Sequence, residues 1–144
     1  MVFKKLINWD LDSDQVIIVA GRYAEPLALK HHMYICQNDR SFRPAKYIAF
    51  YKAGGINYLF ELVDKPYKDC TPENTPILKT LSPDEFPDPE VPRQIFYLRK
   101  VEGFMPIQNT KLDKNNDMAP FTQNQRYSTY SKIISAKTTD ELED

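Results

Sequence analysis

The chain has 144 residues, 42% of them hydrophobic and 17 of them Phe or Tyr, which is enough for a real core and excludes a disordered chain. Its net charge of −1 excludes bulk basicity as a nucleic-acid signal. Two cysteines with no Cys-x-x-Cys pair exclude a structural zinc site of the usual spacing.

The opening "MVFKKLINWDLDSD" contains no continuous apolar stretch, and no run of roughly 18 apolar residues follows it, so the expectation is a soluble cytoplasmic protein without a membrane partner. Asp10, Asp12 and Asp14 resemble the start of a calcium loop. They lack its glycine and distal glutamate and read as turn residues. "VIIVAG" (16–21) has the continuous apolar character of a strand buried on both faces. "AEPLALKHH" (24–32), with Pro26 near its start, suits one or two helical turns. "MYIC" (33–36) reads as a strand with a buried thiol at Cys36, followed by a polar loop with Arg40, Phe42 and Arg43.

Residues 47–52 and 56–63 read as a hairpin around Gly54-Gly55, whose glycines supply positive φ angles. In its second arm Ile56, Tyr58, Phe60 and Leu62 are expected on one core face. Six prolines and many acidic residues mark 68–92 as a long irregular excursion. A strand is expected from 93 to 107, broken near Gly103 and Pro106, and an exposed polar loop over 109–120. A short amphipathic helix follows, capped by Thr129, with Ile133 and Ile134 packing inward. The expected fold is α+β: a single domain over 1–144 built as a small bent mixed β-barrel with short flanking helices.

Charge is uneven along the chain. Residues 22–52 carry six Lys and Arg against two acids, 93–132 seven against three, and 53–92 three against eight. Two basic segments would form a positive face if they meet in space. The competing reading is ordinary surface solvation.

Catalytic patterns are missing. No acid precedes a lysine by two positions, as a carboxylate–lysine nuclease strand requires, and there is neither a Gly-x-Ser-x-Gly elbow nor a phosphate-cradling glycine loop. The histidines, His31 and His32, are adjacent and cannot form an i, i+4 metal pair. The expectation is therefore a non-enzymatic protein with no cofactor and no metal. What the sequence offers instead is guanidinium–aromatic pairing: Arg22 with Tyr23, Arg40 and Arg43 with Phe42, and Arg126 with Tyr127. Such pairs hold phosphates and stack bases, and they also serve packing alone.

In "AGRYAEPLALKHHMYICQNDRSFRPAKYIAFYKAGGINYLFEL" and "RYSTYSKIISAKTTDEL" the chain resembles the PUA-like superfamily, in the style of EVE and ASCH domains of prokaryotic restriction and defence proteins. The resemblance covers about half the chain. It implies a bent mixed barrel with a pocket on one side, lined by Arg22, Tyr34, Arg40, Phe42, Tyr47, Arg126 and Tyr127. It also implies recognition of a nucleotide or modified base, with antiviral defence as the setting. The expected ligand is compact, with Phe42 or Tyr47 stacking and Arg40 or Arg43 on phosphate. Arg22, Arg40, Arg43 and Arg126 are expected on one side of the barrel, close enough to share an anion. The alternatives are a protein-interaction subunit, in which the same aromatics meet a protein partner, and a protein that sequesters a signalling nucleotide.

Overall fold

A computed structural model describes residues 3–52, 54–122 and 124–142; Ala53 of the expected hairpin and Gln123 lie outside them. The first strand, β1 (Lys5–Leu6), is short and exposed. β2 (Gln15–Ala20) follows, and Val16 to Val19 are fully buried, as a continuous apolar run demands. The helix α1 (Ala24–His31) ends where His32 adopts a left-handed backbone and donates its N–H to the Ala28 carbonyl, so the chain turns at once into β3 (Met33–Gln37). After the arginine loop come β4 (Tyr47–Lys52), β5 (Gly55–Leu62) and β6 (Tyr67–Cys70). β7 (Arg93–Lys100), β8 (Ile107–Gln108), β9 (Gln125–Thr129) and the helix α2 (Tyr130–Ser135) complete the order.

The strands form one curled, mixed sheet, β1-β6-β7-β5-β4-β2-β9, with β3 added to β7 and β8 to β5. All pairs are antiparallel except β2 with β4. That parallel pair requires a crossover, and α1 with β3 supplies it. Ile95 of β7 lies between Ile35 of β3 and Tyr67 of β6, so β3 occupies the edge of β7 opposite β6. β3 and β9, together with the two-residue β1 beyond β6, are therefore free margins of an open half-barrel. Among the described residues no ladder joins β3 to β9, so the expected bent mixed barrel is an open half-barrel.

Three cores result. The first fills the concave side with Trp9, Ile17, Phe50, Phe60 and Phe96, and the second packs Ile18, Leu59, Phe121 and Ile133 on the other face. The third holds Met33, Cys70, Leu78, Phe86 and Ile95 beneath the proline-rich excursion.

Several local expectations are revised. The excursion contains β6 and a 3-10 turn at Pro76–Thr80, because Tyr67 and Cys70 find a register on β7. A bulge gives β5 an extra residue between Ile56 and Leu59, which flips the alternation. Ile56 therefore joins the second core while Phe60 and Leu62 join the first. Ile134 is half exposed, since six helical residues present only one inward position, which Ile133 takes.

Candidate functional site: the seam between β3 and β9

The loop after β3 bridges the β3 and β9 margins of the sheet. Arg40 is its keystone. Its Nη1 donates to the Tyr34 hydroxyl at 2.7 Å, its Nε to Gln125 Oε1 at 2.8 Å, and its Nη2 to Asn124 Oδ1 at 2.8 Å and the Asn124 carbonyl at 3.2 Å. Tyr34 stands on β3 and Gln125 on β9, so one guanidinium replaces the backbone ladder that the open barrel lacks. The fixed fork of five donors makes this possible, whereas an ammonium could not reach all these acceptors in one geometry.

The remainder of the loop is held equally closely. Gln94 Nε2 donates to the Arg40 carbonyl, Gln125 Nε2 to the Ser41 carbonyl and the Tyr127 hydroxyl, and the Arg43 N–H to that same hydroxyl. Trp9 Nε1 donates to the Ala45 carbonyl at 2.8 Å where the loop rejoins the core. Phe42 is half-buried and sets its ring edge-on to Phe96 at 5.2 Å, with Arg40 over it at 5.0 Å.

Electrostatics keep this network inert. Burial pushes the Tyr34 phenol far above its ordinary value, the neighbouring Cys36 adds to the shift, and Arg40 opposes it. Burial likewise pushes the Cys36 thiol up to about 12, against the pull of Arg40. Neither group supplies an anion or nucleophile at neutral pH.

The expected ligand residues divide into groups. Tyr34, Arg40 and Phe42 meet at the seam but are committed to packing. Arg43 and Tyr127 form its outer lip: the guanidinium lies 3.8 Å from the centre of the Tyr127 ring. The Arg43 guanidinium has no side-chain hydrogen bond or ion pair to any described residue. Arg22 sits over Tyr23 at 5.6 Å in the turn after β2, both exposed. That turn is near the seam, because Ala20 N–H donates to the carbonyl of Asn124, the residue that holds Arg40.

Arg126 and Tyr47 are on the other face, which corrects the expectation of four converging arginines. Arg126 pairs with Ile18 and stacks over Phe121 at 4.1 Å, donating to the Phe121 carbonyl. Tyr47 stacks on Tyr130 with centroids 4.4 Å apart, beside the second core. The cause is strand alternation: Gln125 and Tyr127 share one face of β9, and Arg126 must take the opposite one. Gln125, Asn124, Gln94 and Trp9 were missed as parts of the seam. Period-two reading of "QRYST" would have paired Gln125 with Tyr127, but nothing local marks their partners.

A buried ion pair lies elsewhere on the molecule. Glu25 of α1 is 1% exposed and meets Lys52 at 2.9 Å, while its Oε2 has no hydrogen-bond partner. Among the described residues no three His, Cys, Asp or Glu side chains are placed to hold a metal ion, and no helix is long and apolar enough to cross a membrane.

The site thus belongs to a mixed α+β half-barrel whose open margin is sealed by side chains and edged with cation–aromatic pairs. No protein-family model, curated protein or solved structure matches this chain.

Proposed function

We propose that this chain is a non-enzymatic binding module in the PUA-like style that holds a nucleotide or a single modified base at the lip of the β3–β9 seam. One observation carries the reading. The Arg43 guanidinium lies 3.8 Å from the centre of the Tyr127 ring, its guanidinium donors uncommitted among the described residues, beside a loop already ordered by Arg40. A base can stack on the outer face of a guanidinium plane, and its N–H groups donate to phosphate oxygens. Because the loop is held in place beforehand, little ordering cost falls on binding. Arg22 and Tyr23 offer a second cation–aromatic pair near the same margin, while Tyr34, Arg40 and Phe42 act as scaffold. The PUA-like style and a setting in prokaryotic or phage defence rest on the sequence resemblance, and the expected cytoplasmic location on the lack of a long apolar run in the sequence.

The test is to heat-denature protein purified from cells and analyse the supernatant by mass spectrometry for released nucleotides. Near-stoichiometric release supports the reading. Stacking contributes about 1–3 kcal/mol per base, so Arg43→Ala, which removes the plane on which the base stacks, is expected to weaken nucleotide binding roughly ten- to hundred-fold. With so few uncommitted guanidinium groups, the salt dependence should report about one or two phosphates. A slope of about six or more phosphates would replace the compact ligand with an extended strand. Absence of any nucleotide, together with unchanged binding in Arg43→Ala and Tyr127→Ala, would hand the lip to a protein partner.

A further inference from the structure

A cleft lies between α1 and the proline-rich excursion. It measures about 500 Å³, within the range of about 300–1,000 Å³ typical of small-molecule sites. Pro26 and Leu27 of α1 form one wall, Ile35 of β3 the floor, and Phe86 and Pro87 of the excursion the other wall. Arg93 closes this apolar space at one end. Its Nη2 donates to the Pro87 carbonyl at 3.2 Å and its guanidinium lies 5.8 Å from the Phe86 ring centre. Its Nε is buried and has no hydrogen-bond partner, and the guanidinium makes no ion pair with any described carboxylate. Its Nη1 is not buried and has no hydrogen-bond partner among the described residues, so on this cleft-lining cation it is the donor open to an acceptor.

The other charges around the cleft narrow the choice of acceptor. Glu85 is occupied: its Oε1 accepts from the Ser82 N–H, and its Oε2 meets His31 at 3.0 Å and Lys30 at 3.3 Å. Lys30 is thereby offset, which leaves Arg93 as the cation without a counter-charge. Asp84 also lines the cleft and disfavours a dianion. A single negative charge on an apolar body satisfies both conditions.

We infer that the cleft between α1 and residues 84–87 is a binding site for a small apolar monocarboxylate, its carboxylate on Arg93 and its hydrocarbon or aryl body against Leu27, Ile35 and Phe86. This goes beyond the proposed function, which does not use Arg93, although Tyr23, offered there as part of a second cation–aromatic pair, also lines the cleft.

The experiment titrates octanoate into the full chain and follows amide resonances by heteronuclear NMR, with 1-octanol as the uncharged comparator. Octanoate is expected to give saturable shifts at residues 24, 25, 27, 35 and 86, and 1-octanol to bind about tenfold more weakly or worse, as loss of a charge-assisted hydrogen bond requires. Arg93→Gln should bring acid and alcohol to equal affinity. Leu27→Trp fills the cleft while keeping Arg93, and should abolish the shifts, so the inference stays testable if Arg93→Gln does not fold. Equal binding of 1-octanol by the parent protein would overturn the inference, as would an absence of saturable shifts at millimolar octanoate. Shifts confined to Arg43 and Tyr127 would overturn it too, without bearing on nucleotide binding at the lip.

Discussion

Arg40 and Arg43 are three positions apart on one loop, yet the structure gives them opposite tasks. Arg40 donates to Tyr34, Gln125 and Asn124, and removing it leaves a buried phenol and two amide side chains without their common partner. Hydrogen bonds to charged groups contribute about 1.5–3 kcal/mol each and are not additive, so Arg40→Ala is expected to destabilise the fold by roughly 2–4 kcal/mol in denaturant unfolding. Arg40→Lys should recover little, since an ammonium cannot reproduce the fork. Arg43→Ala should stay within about 0.5 kcal/mol of the parent, as an exposed side chain does. A stability loss for Arg43→Ala equal to that for Arg40→Ala would contradict this division. The Cys36 thiol provides a chemical check on the same network. With its ionisation pushed up to about 12 by burial, it should resist iodoacetamide at pH 8 until the protein unfolds. Rapid labelling of the native protein would show the seam to be open.

At the scale of elements, two adjacent glycines separate backbone strain from steric exclusion. Gly54 has φ of 97° with open space where a Cβ would go. Gly55 has φ of 148°, and a Cβ there would lie 1.9 Å from the Ile107 carbonyl oxygen. Gly54→Ala therefore incurs backbone strain alone, about 1–2 kcal/mol. Gly55→Ala must also push β8 off β5, and thermal unfolding should show the larger loss; equal losses would mean that β8 is not held there. The excursion gives a second element-scale prediction. The Ser82 N–H, then His31 and Lys30, hold the Glu85 carboxyl down to about 2, below the ordinary carboxylate value. A depressed folded-state value means that the attachment of the excursion to α1 is fully present above about pH 4.5 and weakens as pH falls through 2. Protection of the Phe86 amide, whose N–H donates to the Ser82 carbonyl, should fall over that window in the parent once its exchange is referred to the intrinsic rate at each pH. Glu85→Gln should remove this acid-dependent step. Identical profiles for the two proteins would place the attachment in the apolar contacts of Phe86 instead.

For the whole molecule, stability should follow the sheet order. β2 is paired on both edges and buried on both faces, and β4 lies between β2 and β5. Their amides are expected to exchange only through global unfolding. The two-residue strands β1 and β8 are expected to exchange orders of magnitude faster. Protection of β1 equal to that of β2 would point to a further layer over that edge. The open margin between β3 and β9 should respond to Arg40→Ala with faster exchange in β9 but not in β4, because only β9 relies on side chains for its second edge.

Local chemistry made much of this legible in the sequence. The apolar run of β2, the double-glycine hairpin, the Thr129 cap and the broken strand after Arg93 each depend on residues within a few positions of one another. Thr129 accepts from Lys132 N–H as that spacing predicts. The guanidinium–aromatic pairing was legible in part: Arg22 with Tyr23 and Arg40 with Phe42 do meet, whereas Arg43 lies over Tyr127 and Arg126 over Phe121 instead of the expected partners. What the sequence could not supply was which side of the sheet each pair takes. Arg126 and Tyr47 face away because of strand parity, and β6 escaped notice because its register depends on β7, more than twenty residues further on. Arg40 faces acceptors 84 and 85 residues away, and those long-range partners make it a brace. The sequence by itself determined the α+β composition, the main turns and the residue types able to grip an anion. Only the tertiary structure decided which arginines are spent on closing the sheet and which remain uncommitted, because a guanidinium's role is set by the acceptors that folding brings within about 3 Å.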